Sequence, residues 1–197
     1  MKPKISAKLI FGVAGIAFFS AIIFFPISYF SSQTFYAKPE SAQGVAPEET
    51  VSSGLPVRLK IPKINVDAAV QYVGVDASGT MIAPSGLKDV AWLKTGTKPG
   101  NIGSAVIAGH YGTKSGIVFN DLYKLKKGDD VYVEDDKGEK LHFVVRESRT
   151  YDPKADASDV FNSSDGKAHL NLVTCEGTWD SVRKTYSNRL IVFADKE

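Results

Sequence analysis

Apolar residues along most of this chain come in short runs, and each run is bounded by turn-forming residues. Val57, Leu59 and Ile61 alternate with polar residues, and Pro62 follows them. This period of two predicts a strand with one buried face. Similar short runs predict further strands at residues 66–75, 102–108, 131–133, 141–145, 169–174 and 190–194.

The segments between these runs indicate the fold class. Residues 136–139, Asp-Lys-Gly-Glu, separate two predicted strands and have the composition of a hairpin turn. Helical periodicity is weak, and its best case is 117–125, where Val118, Leu122 and Leu125 would share one helical face. Many short strands with Gly- and Asp-containing turns favour an all-β closed barrel or a sandwich.

The N-terminus has a different pattern. Lys2, Lys4 and Lys8 precede an apolar stretch from Leu9 to Phe30. As a helix, its 22 residues would extend about 33 Å and cross a hydrocarbon core of about 30 Å. A cleaved signal peptide has a shorter apolar region. The stretch is apolar all round, lies at the extreme N-terminus and follows a lysine cluster, which disfavours a buried core helix. We therefore expect a retained anchor with its lysine-bearing end in the cytoplasm.

Four segments follow from these patterns. We expect a cytoplasmic N-terminus at 1–8, a transmembrane anchor at 9–30, a spacer at 31–54 and one extracellular domain at 55–197. The spacer has too few large aliphatic residues to form a core. The whole chain has 24 Lys and Arg against 22 Asp and Glu, and this near balance gives no electrostatic argument for a nucleic-acid partner.

The chain has a single cysteine, Cys175, at the end of the predicted strand 169–174. One cysteine in an exported chain cannot form an intramolecular disulfide. Its thiol is then a buried structural group, an intermolecular link or a nucleophile. A structural role is the commonest one for a lone cysteine, because the thiol behaves as a small apolar group.

Two neighbours favour the nucleophile. Arg189 begins the next predicted strand, so an antiparallel pairing would place its guanidinium beside the sulfur of Cys175. A fixed cation favours the thiolate and can stabilise an oxyanion. His110 follows the apolar run 102–108 in a Gly-containing loop, where an imidazole can transfer protons near neutral pH. Together, Cys175, His110 and Arg189 suffice for covalent acyl transfer. Trp179 and Tyr186, in the loop between Cys175 and Arg189, are candidate walls of a substrate pocket.

The remaining histidines are weaker candidates. His142 lies between Leu141 and Phe143 in a predicted strand and is expected to face solvent. His169 precedes the cysteine strand and is the main rival of His110 for the proton-transfer role. A zinc site from these side chains would lack the short ligand spacing that structural zinc sites have.

Several motifs, in their order and spacing, resemble those of sortases, the membrane-anchored cysteine transpeptidases of mainly Gram-positive bacteria. The motifs are Leu172-Val173-Thr174-Cys175, Arg189 fourteen residues later and Gly109-His110 upstream. Weaker matches are 59–64 (Leu-Lys-Ile-Pro-Lys-Ile), the Gly79 turn, Pro99-Gly100 and 118–122 (Val-Phe-Asn-Asp-Leu). The resemblance covers the whole region from about Leu55 to the C-terminus.

The resemblance implies an eight-stranded closed β-barrel with short helices. It implies that Cys175 attacks the Thr–Gly bond of an LPXTG-like sorting signal through a thioacyl enzyme, as a thiol protease or acyltransferase would. His110 would donate the proton to the leaving group, Arg189 would bind the oxyanion or the substrate, and Thr174 would help to position the substrate. The acceptor would be an amine of a cell-wall precursor, a pilin or another surface protein.

The subclass suggested by the motifs is class F, with classes D and E as alternatives. The spacer lacks the Asp-Pro-aromatic lid motif of pilin-polymerising members, and 146–169 is short for the helical insertion of the haem-scavenging class. No cofactor is expected. Calcium is a lesser possibility, because Asp152, Asp156 and Asp159 precede the cysteine strand, but no ligand loop is evident.

Two other functions remain open from the sequence. One is a non-catalytic, membrane-tethered β-domain that binds a surface peptide, whose function would survive Cys175→Ala. The other is a different exported cysteine enzyme, such as a peptidoglycan transpeptidase or a papain-like protease. A papain-like order would place the cysteine before the histidine, whereas His110 precedes Cys175 here.

Overall fold

The structure is a computed structural model, and it describes residues 53–197. The predicted cytoplasmic segment 1–8, the anchor 9–30 and nearly all of the spacer 31–54 lie outside the described residues. Among residues 53–197, the structure contains no helix with the length and apolar character needed to span a membrane.

Eight strands form a closed barrel in the described part of the chain, which confirms the expected fold. The strands are β1 (Pro56–Ile61), β2 (Val66–Val73), β3 (Val90–Leu93), β4 (Gly103–Gly109), β5 (Asp130–Asp135), β6 (Lys140–Tyr151), β7 (Ala168–Asp180) and β8 (Thr185–Lys196). Around the barrel they follow the order β1-β2-β3-β4-β7-β8-β6-β5, and β5 pairs with β1 to close it. The pairs β2–β3 and β4–β7 are parallel, and the others are antiparallel.

Alternate residues of each strand fill the interior of the barrel. Leu170 and Leu172 of β7 are fully buried there, as are Leu59 and Ile61 of β1. Val57 was expected on the same face but is exposed, because the pairing of β1 with β5 shifts by one residue between Pro56 and Arg58. That irregularity interrupts the period of two, since a bulged residue has no partner across the ladder.

A second apolar cluster covers the opposite face of β4, β7 and β8. Val160 lies in a short helix, α1 (Ser158–Phe161), within the connection from β6 to β7. It packs against Val106, Ile191 and Phe193, which alternate with the residues of the barrel core. The β6–β7 connection therefore covers part of the outside of the barrel.

The prediction of a helix over 117–125 was wrong. The structure has a single 3-10 turn there, at Leu122–Lys124, preceded by other bonds between residues three apart. Asn120 contributes to this outcome, because its side chain bonds the backbone of Gly112 and Lys114 and so holds the preceding loop. Asn side chains that bond nearby backbone compete with regular helix.

The start of the described chain is fixed to one end of the barrel. Ser53 is buried, and its hydroxyl donates to the carbonyl of Pro99 at 2.6 Å. The backbone N–H of Gly54 donates to Asp135, and that of Leu55 donates to Asp136. A Cβ on Gly54 would lie 2.2 Å from a carboxylate oxygen of Asp136, so only glycine fits this position. Ser53 and Gly54, which precede the expected boundary at Leu55, thus make contacts with the barrel.

Candidate active site

Strand register brings the three predicted residues to one end of the barrel. Cys175 of β7 pairs directly with Arg189 of β8, as the sequence predicted. β4 runs parallel to β7 with Ala108 opposite Val173, so His110, two residues beyond Ala108, comes level with Cys175. Cys175, His110 and Arg189 all line one cleft of about 310 Å³ on the outer face of these strands.

The walls of this cleft are mainly apolar. They come from the outer face of the barrel, from the β2–β3 connection and from the β6–β7 connection. Beside the three residues above, the lining includes Ala83, Pro84, Ala108, Pro153, Val173 and Ile191. The cleft therefore suits an extended chain with apolar side chains, which its floor would desolvate.

Thr174 ties the cysteine strand to the histidine strand. Its side chain is only 3% exposed, and its hydroxyl donates to the carbonyl of Gly109 at 2.8 Å. Gly109 must be small, because a Cβ there would lie 2.4 Å from the ring of Phe119. The hydroxyl of Thr174 is thus bonded to the backbone immediately before His110, and this bond sets the spacing of the two strand ends.

Cys175 is half-buried, and two opposing effects act on its thiol. Burial raises the pKa of Cys175, because the thiolate loses hydration, and the positive charge of Arg189 lowers it. Burial is the larger effect, so the pKa lies above its ordinary value. The thiol is then the main form at neutral pH, and attack by sulfur requires removal of its proton.

The guanidinium of Arg189 is held by the start of its own strand. Nη1 donates to the carbonyls of Tyr186 and Asn188 at 3.2 and 2.9 Å, and Nη2 donates to the hydroxyl of Thr185 at 3.1 Å. Among the described residues it has no carboxylate partner. Its charge is therefore positioned but not neutralised, and Nε–H remains for an incoming oxygen.

His110 is fixed at both its backbone and its ring. Its carbonyl accepts a bond from the N–H of Phe119 at 3.1 Å. Its ring nitrogen Nε2 lies 2.9 Å from the carbonyl oxygen of Pro84, in the connection from β2 to β3. Sequence reasoning missed Pro84, since a contact through a backbone carbonyl leaves no side-chain signal.

The expected substrate walls Trp179 and Tyr186 lie beside the cleft. Their rings pack edge to face at 5.1 Å, and Tyr186 packs in the same way on Tyr111 at 5.2 Å. The side chains that line the cleft include neither Trp179 nor Tyr186. A second cavity of about 440 Å³ lies on the other side of Cys175, and Tyr111, Tyr123, Glu176 and Asn188 line it together with five others.

The other two histidines lie away from this site. His142 pairs with Asp130 at 2.7 Å and stacks on Tyr132 at the surface. His169 is only 4% exposed and lies at the far end of β7, where its ring nitrogens face Asp195 and Asp165. His110 is therefore the histidine that the fold places beside Cys175.

The acidic residues considered for calcium have other partners. Asp152 and Asp156 accept backbone N–H groups two residues further on, and Asp159 accepts from Arg149 and Tyr151. Within residues 53–197, no group of three or more His, Cys, Asp or Glu side chains could hold a metal ion.

Comparison with known proteins identifies relatives of this chain. A family model described as a sortase domain matches residues 59–197. The chain is 31% identical to sortase A of Bacillus anthracis over 93 residues, which is 47% of this chain and 40% of that protein. It is 24% identical to sortase A of Listeria monocytogenes over 127 residues, or 64% of this chain and 51% of that protein. The matched regions thus span about half or less of these curated relatives.

The barrel also superposes on solved structures. The crystal structure of sortase C-1 from Actinomyces oris matches with a TM-score of 0.55 and 27% identity, over 72% of this chain and 74% of that one.

Proposed function

Because the chain belongs to the sortase family, we propose that it is a membrane-anchored cysteine transpeptidase acting on LPXTG-like sorting signals. The observation that carries the proposal is the convergence of Cys175, Arg189 and His110 on one cleft at matching strand ends. Nucleophile, proton-transfer group and oxyanion donor are the three parts that acyl transfer requires.

The first half of the proposed reaction forms a thioester. Sγ of Cys175 bonds to the carbonyl carbon of the substrate threonine while the thiol proton passes to His110. The carbonyl oxygen becomes an oxyanion, which the guanidinium of Arg189 stabilises. The bond between threonine and glycine then breaks, and the leaving glycine amine takes the proton from His110.

The second half transfers the acyl group. An acceptor amine, from a peptidoglycan precursor, a pilin or another surface protein, attacks the thioester carbonyl carbon. Its surplus proton passes to His110, the carbon–sulfur bond breaks, and Cys175 recovers its proton. The reaction needs no cofactor, and a calcium requirement would appear as a loss of rate on adding a chelator.

The cleft supports an extended peptide as the acyl donor. Its apolar lining, including Ala83, Val173 and Ile191, matches the leucine and proline of an LPXTG-like segment. The subclass stays a prediction, with class F favoured by the motifs and classes D and E as alternatives. Extracellular placement by the segment 9–30 also stays a prediction.

The direct test is mass spectrometry of the intact full chain. The protein is incubated with a library of LPXTG-like peptides, with and without an amine acceptor. A mass gain equal to the N-terminal part of one peptide, absent in Cys175→Ala and discharged by the amine, is the expected result.

Two results would contradict the proposal. One is unchanged turnover in Cys175→Ala. The other is a folded chain whose Cys175 reacts with a small alkylating agent but forms no adduct with any peptide, although peptides bind to the cleft. That second result would favour the non-catalytic peptide-binding domain.

A further inference from the structure

The bond between His110 and Pro84 determines which ring nitrogen can transfer a proton. Nε2 of His110 lies 2.9 Å from the carbonyl oxygen of Pro84, and a carbonyl can only accept. Nε2 must therefore carry its proton whether the imidazole is neutral or charged. Nδ1 is then the ring nitrogen that gains and loses a proton.

Pro84 lies in a segment with little regular structure of its own. Residues 74–89 connect β2 to β3, and most of them are exposed, with one isolated bridge between Val75 and Met81. Connections of this kind are usually the more mobile parts of a fold. Pro84 itself is buried, which indicates that something holds this part of the connection against the barrel.

Gln71 holds the next residue, Ser85, from three sides. Its Oε1 accepts from the backbone N–H of Ser85 at 2.9 Å and from the hydroxyl of Ser85 at 3.0 Å. Its Nε2 donates to the carbonyl of Ser85 at 2.8 Å. The remaining N–H of the amide donates to Asp89 at 3.0 Å. Every donor and acceptor position of the amide is thus occupied.

Gln71 is itself carried by the barrel. It lies within β2, in register with Ala91 of β3, so its backbone is held by the β2–β3 pairing. A chain of contacts therefore runs from the strand through Ser85 to the Pro84 carbonyl and on to the ring of His110. Side chains mounted on strands position a site more precisely than loops do.

We propose that Gln71 is a positioning residue, which fixes His110 in the Nε2–H tautomer by holding the carbonyl of Pro84. The proposal rests on the proposed function, because it assigns the proton transfers of that reaction to Nδ1. Gln71 acts through Ser85 and Pro84, since it makes no bond to His110 itself. The other charged or titratable groups that line the same cleft are Cys175, Arg189, Tyr151 and Asp152.

The test compares two variants of the full chain. Gln71→Ala removes all three bonds to Ser85. Asp89→Asn is the matched control, because its amide oxygen still accepts from Gln71 and it makes no bond to Ser85. With ¹⁵N-labelled histidine, nitrogen shifts report the tautomer of each ring, and His110→Gln assigns the signal among the three histidines of the chain.

Wild type and Asp89→Asn should show His110 almost entirely as the Nε2–H form when neutral. In Gln71→Ala, the Nδ1–H form should become populated, and kcat should fall about tenfold or more with KM changed much less. The pH at which kcat reaches half its maximum should also move, whereas a purely structural role would leave the tautomer and this pH unchanged.

An unchanged tautomer in folded Gln71→Ala would overturn the proposal, and so would an equal loss of kcat in Asp89→Asn. If Gln71→Ala fails to fold, Gln71→Glu replaces it, because the carboxylate keeps the two acceptor bonds and loses the donor bond to the Ser85 carbonyl. The tautomer is measured without turnover. An inactive wild type with the expected tautomers would therefore count against the proposed function and leave the positioning role supported.

Discussion

Burial and one nearby side chain set the protonation of Cys175, and they act in opposite directions. Burial raises the pKa of Cys175 above its ordinary value, and the nearby charge of Arg189 limits that rise. The free thiol is then mostly protonated at neutral pH. Arg189 thus favours the thiolate form of Cys175 through its charge.

The rate at which iodoacetamide alkylates Cys175 should reveal this balance. Only the thiolate reacts, so the rate should rise about tenfold per pH unit from pH 7 upwards, without a plateau below the raised pKa. Arg189→Met removes the lowering charge, raises the pKa further and should slow alkylation at each pH. Arg183→Met, in the exposed turn after β7, is the control and should behave as wild type. A plateau already at pH 7 would contradict the raised pKa.

Arg189→Lys separates charge from geometry. Lysine keeps the positive charge but lacks the planar group that bonds Tyr186, Asn188 and Thr185. We expect kcat for peptide transfer to fall about 100-fold, similar to the loss of one oxyanion donor. Alkylation of Cys175 should change little, because the charge remains. Wild-type kcat in this variant would show that charge alone is sufficient.

From the sequence, only those parts of the site could be predicted that depend on side chains at strand ends. Cys175 and Arg189 stood at the ends of two apolar runs, so antiparallel pairing predicted their contact, and the register bears it out. The bond from His110 to Pro84 was not predictable, because it joins a ring to a backbone carbonyl 26 residues away. The assignment of Trp179 and Tyr186 as substrate-pocket walls stays a prediction, because composition does not specify the direction of a side chain in a twisted pair of strands.

Among the elements, the parallel pair β4–β7 has one buried side-chain bond at its end, from the hydroxyl of Thr174 to the carbonyl of Gly109. Thr174→Val keeps the shape of the side chain but leaves the carbonyl of Gly109 without its donor. We expect the free energy of unfolding in urea to fall by about 1–3 kcal/mol, and transfer activity to fall with it because the two strand ends separate.

Thr150→Val is the matched control for this experiment. The hydroxyl of Thr150 is likewise a donor, but its acceptor is the side chain of Glu176 and the bond lies at the exposed surface. Its replacement should change stability by less than about 0.5 kcal/mol. Equal effects of the two substitutions would mean that the bond from Thr174 to Gly109 contributes no more to stability than an exposed bond does.

The elements that the sequence missed have identifiable causes. β3 is buried at all four of its positions, so Val90–Leu93 shows no alternation to detect. α1 has four residues, which is too short for a helical period. β7 and β8 extend past the apolar runs as a polar ribbon, in which Gly177 adopts a φ of 87° and the register shifts between Glu176 and Trp179. Such polar extensions resemble loops in a hydropathy pattern.

For the molecule as a whole, Asp135 secures the start of the domain. Burial alone would raise the pKa of this carboxyl, but backbone N–H donors of Glu139, Gly54 and Lys137 together outweigh it, and the net pKa is lowered. A carboxyl with a lowered folded pKa stabilises the fold above its unfolded value of about 3.9. That contribution is lost as the pH falls through the folded pKa.

Asp135→Asn should therefore destabilise the domain at pH 7, by about 1–2 kcal/mol, and the difference from wild type should shrink below about pH 3.9. Thermal unfolding at a series of pH values measures both effects. Asp136→Asn, at an exposed neighbour, should have little effect at any pH. A difference between wild type and Asp135→Asn that stays constant down to pH 2 would show that the charge of Asp135 does not matter.

The position of Ser53 has a practical consequence for attaching this protein to a surface. Ser53 precedes Gly54, whose N–H donates to Asp135 at the turn 135–139, and β8 ends opposite Phe143, near the start of β6. Cys175 lies six residues along β7 from His169, which pairs with Asp195 at that end of the barrel. At about 3.3 Å per residue, the separation along the strand is about 20 Å. A bead or a fused partner joined at either end of the described domain would therefore sit on the side away from the cleft. A domain immobilised in this way would leave its cleft open to dissolved peptides.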